Sequence, residues 1–266
     1  MADTATDSVE HTDADTNGRR RGTRLLASNA GLLITPLIVI AGAVALYVNY
    51  QNADRTFSDE RALNWSRNLR PQLEQHVSIT IWATLFTLSI AVPLGVLLTR
   101  PGYRRLSAPI LAVATSGQAI PAFGLLVLAY TWLGRGPWTT VWALTLFTLL
   151  PVLRNTIVGL DQVNRSVIEA GRGMGLTRGQ VLRHIELPLA IPVILAGVRT
   201  ALVITVGMTA LAYLIGGGGL GGTIGAGINL RRDLVLLTGA GLTALVALTV
   251  DWIAALIERA LRPRGL

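Results

Sequence analysis

The sequence predicts an all-α integral membrane protein with about six transmembrane helices. Its 266 residues are 51% hydrophobic and only 14% charged, and soluble domains are roughly 25% charged. The apolar residues also occur in runs of about 20, the length at which a helix crosses the hydrocarbon core of a bilayer. The chain contains no cysteine, which excludes disulfides, thiolate catalysis and thiolate metal sites.

The basic residues indicate membrane topology rather than a nucleic-acid surface. The formal net charge is +8, but the bases are scattered between apolar runs and form no single face, so we expect no nucleic-acid partner. Excess base in a membrane protein marks its cytoplasmic loops. This rule places both termini in the cytoplasm of a multi-pass protein of the cell (plasma or inner) membrane.

The N-terminal residues are predicted to precede the membrane. Residues 1–18 carry five acids and no base, a composition typical of a disordered tail. Arginines at 19–24 follow, and an apolar stretch then runs from about 30 to 48. That stretch has no A-x-A-like cleavage site at its end, so we interpret it as a signal anchor and as the first span.

Five further spans follow, in alternating directions. Residues 49–75 form a polar external segment in which we expect a short surface helix at 60–70. The predicted spans are 77–99, 106–133, 139–158, 192–214 and 233–257. The loops expected inside hold the arginine clusters at 100–105, 165–183 and 259–264, in agreement with the positive-inside rule.

A polar segment, residues 159–190, interrupts the apolar pattern between the fourth and fifth spans. Ser166 with Glu169, and Thr177 with Gln180, fit the capping-box spacing. Each pair therefore predicts the start of a short helix. Gly175 is placed to end the first helix, because glycine adopts the left-handed conformation without penalty.

The second short helix of this segment is predicted to be amphipathic. Val181, Leu182 and Ile185 fall on one face of it, and we expect Pro188 to end it. From these residues alone, the segment could be a connector that rests on lipid headgroups, with Glu169 only a helix cap. It could equally be gripped by a cytoplasmic partner.

The same residues resemble a known docking motif. Glu169-Ala170-Gly171, then three residues, Gly175, nine residues and the stretch 185–188 (IELP) are similar to the EAA loop of ATP-binding-cassette (ABC) importer permeases, E-A-A-x3-G-x9-I-x-L-P. Gly171 replaces the second alanine and is the one departure. Since glycine is a weaker helix former, we expect this departure to weaken the helix more than it obstructs docking.

The resemblance implies a type I ABC importer permease fold whose cytoplasmic coupling helix docks in a groove of an ATPase. The coupling residues it implies are Glu169, Ala170, Gly171 and Gly175, and their positions add Arg172 and Arg178 as polar supports. The chain would not itself be an enzyme and would bind no cofactor, since ATP and Mg²⁺ would be held by partner ATPase subunits. The other implied partners are an extracytoplasmic solute-binding protein and a second permease, identical or paralogous.

Other stretches narrow the resemblance to permeases that import glycine betaine, carnitine and choline. They are residues 118–126, 149–160, 186–201 and 215–228. Permeases for methionine or another amino acid share parts of these strings and are the alternative.

The likeness covers roughly residues 70–260 and suggests a division of the chain. The divisions are an acidic tail and basic juxtamembrane segment (1–28), an extra N-terminal transmembrane helix with an external loop (29–75), a permease domain containing the EAA loop (76–258) and a basic cytoplasmic tail (259–266).

Two residues of the third predicted span, Gln118 and Pro121, are candidates for the translocation pathway. A proline in a span frees a backbone carbonyl, and this is tolerated where the carbonyl lines a cavity or packs against protein. An ordinary helix kink is the alternative.

Arg199 and Asp251 are charged residues inside predicted spans, where charges are rare and usually paired. At 1.5 Å per residue, each lies roughly 10 Å from the cytoplasmic end of its helix. We therefore expect them to form an ion pair with a structural role. Arg154 is the alternative partner for Asp251.

Neither the glycine run nor the histidines indicate a nucleotide or metal site. Glycines 216–219, 221 and 222 lack the G-K-[ST] ending of a phosphate-binding loop, so we expect close helix packing or an external gate. His76 and His184 have no second ligand at metal spacing. A channel or an intramembrane enzyme is a more remote interpretation, because the first gives the polar segment no purpose and the second has no catalytic constellation.

Overall fold

The computed structural model describes residues 32–261. The predictions for the acidic tail, for the arginines at 19–24 and for residues 262–266 lie outside the described residues. Within 32–261, every regular element is a helix or a helical turn. Five of these helices are long and apolar enough to cross a membrane, and counting one sharply bent pair as a single span gives six. The predicted all-α membrane architecture is confirmed.

Eleven helices make up the described chain. They are α1 (Leu32–Asn52), α2 (Phe57–Ala62), α3 (Arg70–Leu98), α4 (Ser107–Gln118), α5 (Ala122–Leu133), α6 (Pro137–Asp161), α7 (Arg165–Gly173), α8 (Arg178–Val181), α9 (Leu187–Thr209), α10 (Gly221–Leu230) and α11 (Asp233–Leu261). Two π-helical turns, Trp65–Leu69 and Leu182–Glu186, lead directly into α3 and α9. The continuous helices are therefore Trp65–Leu98 and Arg178–Thr209.

The core lies between α3, α6 and α9. Its buried apolar side chains include Ala91, Leu98, Val152, Leu153, Ile157, Ala190, Ile194 and Val198. Small residues bring the backbones close: a Cβ on Gly95 would lie 2.6 Å from Thr156 Cγ2, and one on Gly197 would lie 2.6 Å from Asn155 Cβ. Because lipid is as apolar as this core, close packing holds such helices together in a membrane.

The N-terminal helices pack against α11. Trp252 Nε1 donates a hydrogen bond to the carbonyl of Leu32 at 2.9 Å. Asp59 on α2 is fully buried and pairs with Arg232, which immediately precedes α11; Arg232 Nε lies 2.9 Å from Asp59 Oδ1. These contacts fix α1 and α2 near both ends of α11.

The surface helix predicted at 60–70 is wrong. α2 ends at Ala62, and a new helix begins after Asn64, whose side-chain oxygen accepts a hydrogen bond from the Arg67 N–H at 3.0 Å. Asparagine is a strong N-cap, so it divides the predicted helix and makes its second half the start of α3.

The third predicted span is also wrong as a single helix. α4 and α5 meet at 95°, and Pro121 is the N-cap of α5. Because proline disfavours helical geometry in the residue before it, α4 cannot continue into α5. Within the described chain no residue of α4 is buried, so this helix is open to lipid or to a partner.

Candidate functional site

The polar segment between α6 and α9 begins with a different cap from the one predicted. Asn164 is the N-cap of α7, and its Oδ1 accepts a hydrogen bond from the Ser166 N–H at 3.0 Å. The predicted Ser166–Glu169 capping box is therefore wrong. Val163 is buried and fixes where the chain leaves the core, so α7 starts at the first good capping residue after it.

Gly175 ends the exposed helix α7, as predicted. Its φ is +84°, in the left-handed region that favours glycine. The Gly175 N–H donates to the Arg172 carbonyl at 2.9 Å, and the Leu176 N–H donates to the Gly171 carbonyl at 3.2 Å. Together these bonds form a Schellman motif, which satisfies carbonyls at the end of a helix.

The second helix starts with the predicted Thr177–Gln180 capping box. Thr177 Oγ1 accepts from the Gln180 N–H at 3.4 Å, and Gln180 Oε1 accepts from the Thr177 N–H at 2.8 Å. Short-range hydrogen bonds therefore fix the turn between α7 and α8 on both sides, so the turn holds the two helices in one arrangement.

The prediction that Pro188 ends the second helix is wrong. Pro188 lies in the first turn of α9, and the helix is continuous from Arg178 to Thr209. The π-helical turn before it is wide, with the Leu187 N–H bonded to the Leu182 carbonyl. This i→i+5 geometry replaces the regular helical pattern that a proline would interrupt. The second helix of the polar segment, from Arg178 onward, is consequently continuous with a membrane-spanning helix.

Gly171 is the point at which α7 packs on that long helix. It is buried, and a Cβ at this position would lie 2.5 Å from Ile185 Cδ1 and 3.6 Å from Val181 Cγ2. Val181 is fully buried and Ile185 partly so. The glycine that departs from the E-A-A pattern therefore allows a close helix contact, and it faces inward.

The opposite face of α7 and the following turn are open. Of the six residues predicted to make the coupling contact, five are exposed; they are Glu169, Ala170, Arg172, Gly175 and Arg178. Met174 beside them is 75% exposed and Val167 is 41% exposed. Exposed apolar side chains among charged ones suit a contact with another protein. The geometry leaves this face available to a partner.

A comparison with known families decides what kind of chain this is. Residues 91–263 match the family described as the binding-protein-dependent transport system inner membrane component. This stretch is more than half of the chain and contains the whole polar segment. The chain belongs to this family.

Individual permeases of the family are similar to the chain over most of their length. The glycine betaine/carnitine/choline transport system permease protein OpuCD of Bacillus subtilis is 42% identical over 190 residues, covering 71% of this chain and 82% of that protein. The osmoprotectant import permease protein OsmW of Salmonella typhimurium is 39% identical over 197 residues, covering 72% and 91%.

A solved structure shares the permease fold. A chain of the MetNI methionine ABC transporter, crystallised in inward-facing conformations, superposes with a TM-score of 0.65 at 26% identity, covering 73% of this chain and 96% of that one. The predicted type I ABC importer permease fold is confirmed. α1 lies outside the range matched by the family.

Two ion pairs that the sequence analysis did not identify connect the polar segment to the loop between α3 and α4. Arg100 pairs with Glu186, and Arg104 Nη2 lies 3.3 Å from Asp161 Oδ1. Both arginines belong to the α3–α4 loop, and the two acids lie near the two ends of the polar segment. Glu186 occupies the variable position of I-x-L-P, next to a predicted span. An acid in that place was the sequence signal that could have indicated an ion pair.

Arg199 and Asp251 form the predicted ion pair between α9 and α11. Arg199 Nε hydrogen-bonds to Asp251 Oδ1, and Arg199 Nη2 lies 2.6 Å from Oδ2. The two-pronged geometry is the arrangement that an arginine and a carboxylate favour. Arg154, the alternative partner, is exposed on α6 and takes no part in this pair.

Gln118 and Pro121 both lie at the break between α4 and α5. Gln118 Nε2 donates to the carbonyl of Phe147 on α6 at 3.3 Å, and Pro121 caps α5. Both residues thus have local structural roles in the permease. Their place in a translocation pathway stays a prediction.

The glycine run follows α9 and is held by the start of α3. Gln75 Nε2 donates to the Gly217 carbonyl at 3.0 Å, and Gln75 Oε1 accepts from the Gly219 N–H at 3.3 Å. Gln72 Oε1 accepts from the Thr223 N–H at 2.9 Å. The two glutamines lie three residues apart on one helical face, a pattern the sequence analysis passed over.

His76 joins the same loop to α9. This fully buried side chain lies 3.1 Å from the Val206 carbonyl through Nε2 and accepts the Leu220 N–H at Nδ1, at 3.4 Å. The carbonyl can only accept and the N–H can only donate, so the ring is neutral with its proton on Nε2. Within residues 32–261, no group of three or more His, Cys, Asp or Glu side chains is arranged to hold a metal ion.

Proposed function

We propose that this chain is the membrane-spanning permease subunit of an ATP-driven importer for quaternary-amine osmoprotectants of the glycine betaine, carnitine and choline type. The observation that carries the proposal is the identity of about 40% to permeases named for these solutes or for osmoprotectants, over more than four fifths of their length. The three named solutes share a trimethylammonium group, so one pathway could suit all of them.

The proposed mechanism is alternating access driven from the cytoplasm. Two ATPase subunits hold ATP and Mg²⁺, and this chain contributes the mechanical link. The exposed face of α7 meets an ATPase subunit through Glu169, Ala170 and neighbouring residues. Because Gly171 packs α7 closely on Ile185 of the continuous helix Arg178–Thr209, displacement of α7 also displaces a membrane-spanning helix.

A second permease and an extracytoplasmic binding protein complete the proposed importer. One chain presents α4 with no buried residue, and a helix of this kind is suited to contact with a second subunit. The second permease is a copy of this chain or a paralogue. The arginine-rich polar segment faces the cytoplasm in this arrangement, as do both termini, in the cell membrane.

Uptake into proteoliposomes that contain the reconstituted importer tests the substrate. Labelled glycine betaine should accumulate when ATP is enclosed inside the proteoliposomes, where the ATPase sites can bind it. Unlabelled choline or carnitine should compete. Methionine should not compete. Competition by methionine alone would overturn the substrate assignment and leave the permease assignment intact.

A methionine or other amino-acid permease is the second candidate. It is favoured by the likeness to the MetNI methionine transporter, at 26% identity. The higher identity to the osmoprotectant permeases places it second, and the same competition experiment decides between the two.

A further inference from the structure

We propose that Arg100 and Glu186 form a positioning pair that links the coupling segment to the α3–α4 loop, and through that loop to the bent helices α4 and α5. The inference rests on the proposed coupling role of α7. It adds a second route by which movement of α7 reaches the membrane, beside the covalent route through α9.

The side chains of Arg100 and Glu186 are joined by two close contacts. Glu186 is only 5% exposed and lies in the π-helical turn between α8 and α9. Arg100 Nη2 lies 2.5 Å from Glu186 Oε2, and Nη1 lies 3.3 Å from Oε1. Such paired contacts fix orientation as well as distance.

The arginine is itself held in place before it meets the acid. Arg100 Nε donates to the Val96 carbonyl at 3.3 Å, and Nη2 donates to Thr99 Oγ1 at 3.0 Å. Both partners belong to the last turn of α3 and its cap. The guanidinium therefore moves with α3 and with the loop that leads into α4.

Stability alone does not account for a buried acid at this joint. An apolar pair of similar volume is often as stable as a buried ion pair or more so. In this proposal, the pair, in which Glu186 is buried and Arg100 is 30% exposed, is kept because it fixes one arrangement of the two elements. Here the elements are the loop before α4 and the end of the polar segment.

The space around the pair connects it to α7. A cavity of about 340 Å³ has Arg100 and Glu186 among its lining residues, together with Glu169 and Arg172 of α7. Residues assigned to the coupling contact therefore share one cavity with the pair. We therefore expect a shift of α7 that changes this cavity to alter the surroundings of Arg100 and Glu186.

The test compares Glu186→Gln, Arg100→Gln and the charge swap R100E/E186R in the complete importer. Each single change should lower uptake per complex about tenfold, within the range of measured coupling effects. ATP hydrolysis per complex should persist, so more ATP is used per solute. The charge swap should restore part of the uptake. Arg105→Gln is the matched control, because Arg105 is an exposed arginine of the same loop that does not line the cavity, and this variant should behave as wild type.

A second readout does not depend on the substrate. The chain has no cysteine, so spin labels at Ala108→Cys and Ser166→Cys report the distance between α4 and α7 in the complex. The distance distribution should be narrow with the native pair and broad in Glu186→Gln.

Equal loss of uptake and ATP hydrolysis, or an unchanged distance distribution, would overturn the positioning role. A wild-type complex that transports no glycine betaine, while the label distances still respond to Glu186→Gln, would count against the proposed function only.

Discussion

The side-chain amide of Gln118 on α4 donates a hydrogen bond to the backbone carbonyl of Phe147 on α6, at 3.3 Å. In a regular helix that carbonyl would pair with the N–H at position 151, but Pro151 has none. Gln118, beside the break between α4 and α5, thus supplies the hydrogen-bond donor that Pro151 removes from α6. The contact docks α4 on α6.

This relationship predicts that the effect of changing Gln118 depends on Pro151. Gln118→Ala should destabilise the protein by about 1 kcal/mol, the net worth of a typical hydrogen bond. In a Pro151→Ala background the helix regains its own N–H, and the same change should have almost no effect. Unfolding of the four variants in detergent micelles gives the coupling energy directly.

Ser116→Ala is the control for this double-mutant cycle of Gln118 and Pro151. Ser116 lies on the same helix, but its hydroxyl bonds only within α4, to the Ala112 carbonyl. An equal effect of Gln118→Ala in both backgrounds would contradict the assigned role. Loss of uptake without loss of stability would instead place Gln118 in the pathway.

The pair between Arg199 and Asp251 predicts a strongly non-additive double mutant. Removing either side chain leaves the other charge unpaired in a region of low dielectric and should destabilise the protein by about 2 kcal/mol. Removing both should destabilise it less than the sum. The exposed Arg104–Asp161 pair is the comparison, since exposed pairs contribute about 0–1 kcal/mol. Additive effects at Arg199 and Asp251 would contradict the pairing.

Gly175 and Gly173 form a matched pair of positions for testing the turn. Gly175 has a φ of +84°, so Gly175→Ala introduces strain of about 1–2 kcal/mol and should loosen the end of α7. Gly173 lies within α7 with open space around its Cβ position, so Gly173→Ala should be neutral or stabilising. Amide hydrogen exchange of residues 165–180 measures the difference. Equal protection in the two variants would exclude the Schellman turn.

Asp59 predicts an acid-dependent loss of stability. Its hydrogen bond from Arg232 lowers the pKa of the Asp59 carboxyl from 3.8 to about 2. Because the folded state favours the charged form, the stabilisation is complete above about pH 4 and is lost as the pH falls through about 2. The stability difference between wild type and Asp59→Asn should shrink over that interval, as measured by unfolding at each pH. A difference that stays constant from pH 6 to pH 2 would contradict it.

Local patterns in the sequence predicted the features that depend on neighbouring residues. Gly175 as a helix end and the Thr177–Gln180 box follow from side-chain chemistry within a few positions. Two charges at equal depth in different spans were enough to predict the pair of Arg199 and Asp251. The resemblance of residues 169–188 to the docking motif predicted the permease fold.

Features set by distant contacts or by competing local signals escaped prediction. Arg100 and Glu186 are 86 residues apart, and no periodicity joins them. Asn164 and Ser166 are both good caps, and the buried Val163 decides between them. A proline inside a helical pattern normally predicts the end of the helix. The wide π-helical turn before Pro188 lets the helix continue, and the sequence did not indicate that turn.

The most direct test of the central claim is ATP-driven uptake after Glu169→Lys. The change reverses a charge on the exposed face of α7, outside the spans, and should leave the chain in the membrane. The Gln162→Lys variant, which adds a base at an exposed position before α7, is the control. The account predicts that uptake of labelled glycine betaine is abolished in Glu169→Lys and retained in Gln162→Lys, at equal membrane abundance. Undiminished uptake in Glu169→Lys would contradict the docking role of α7.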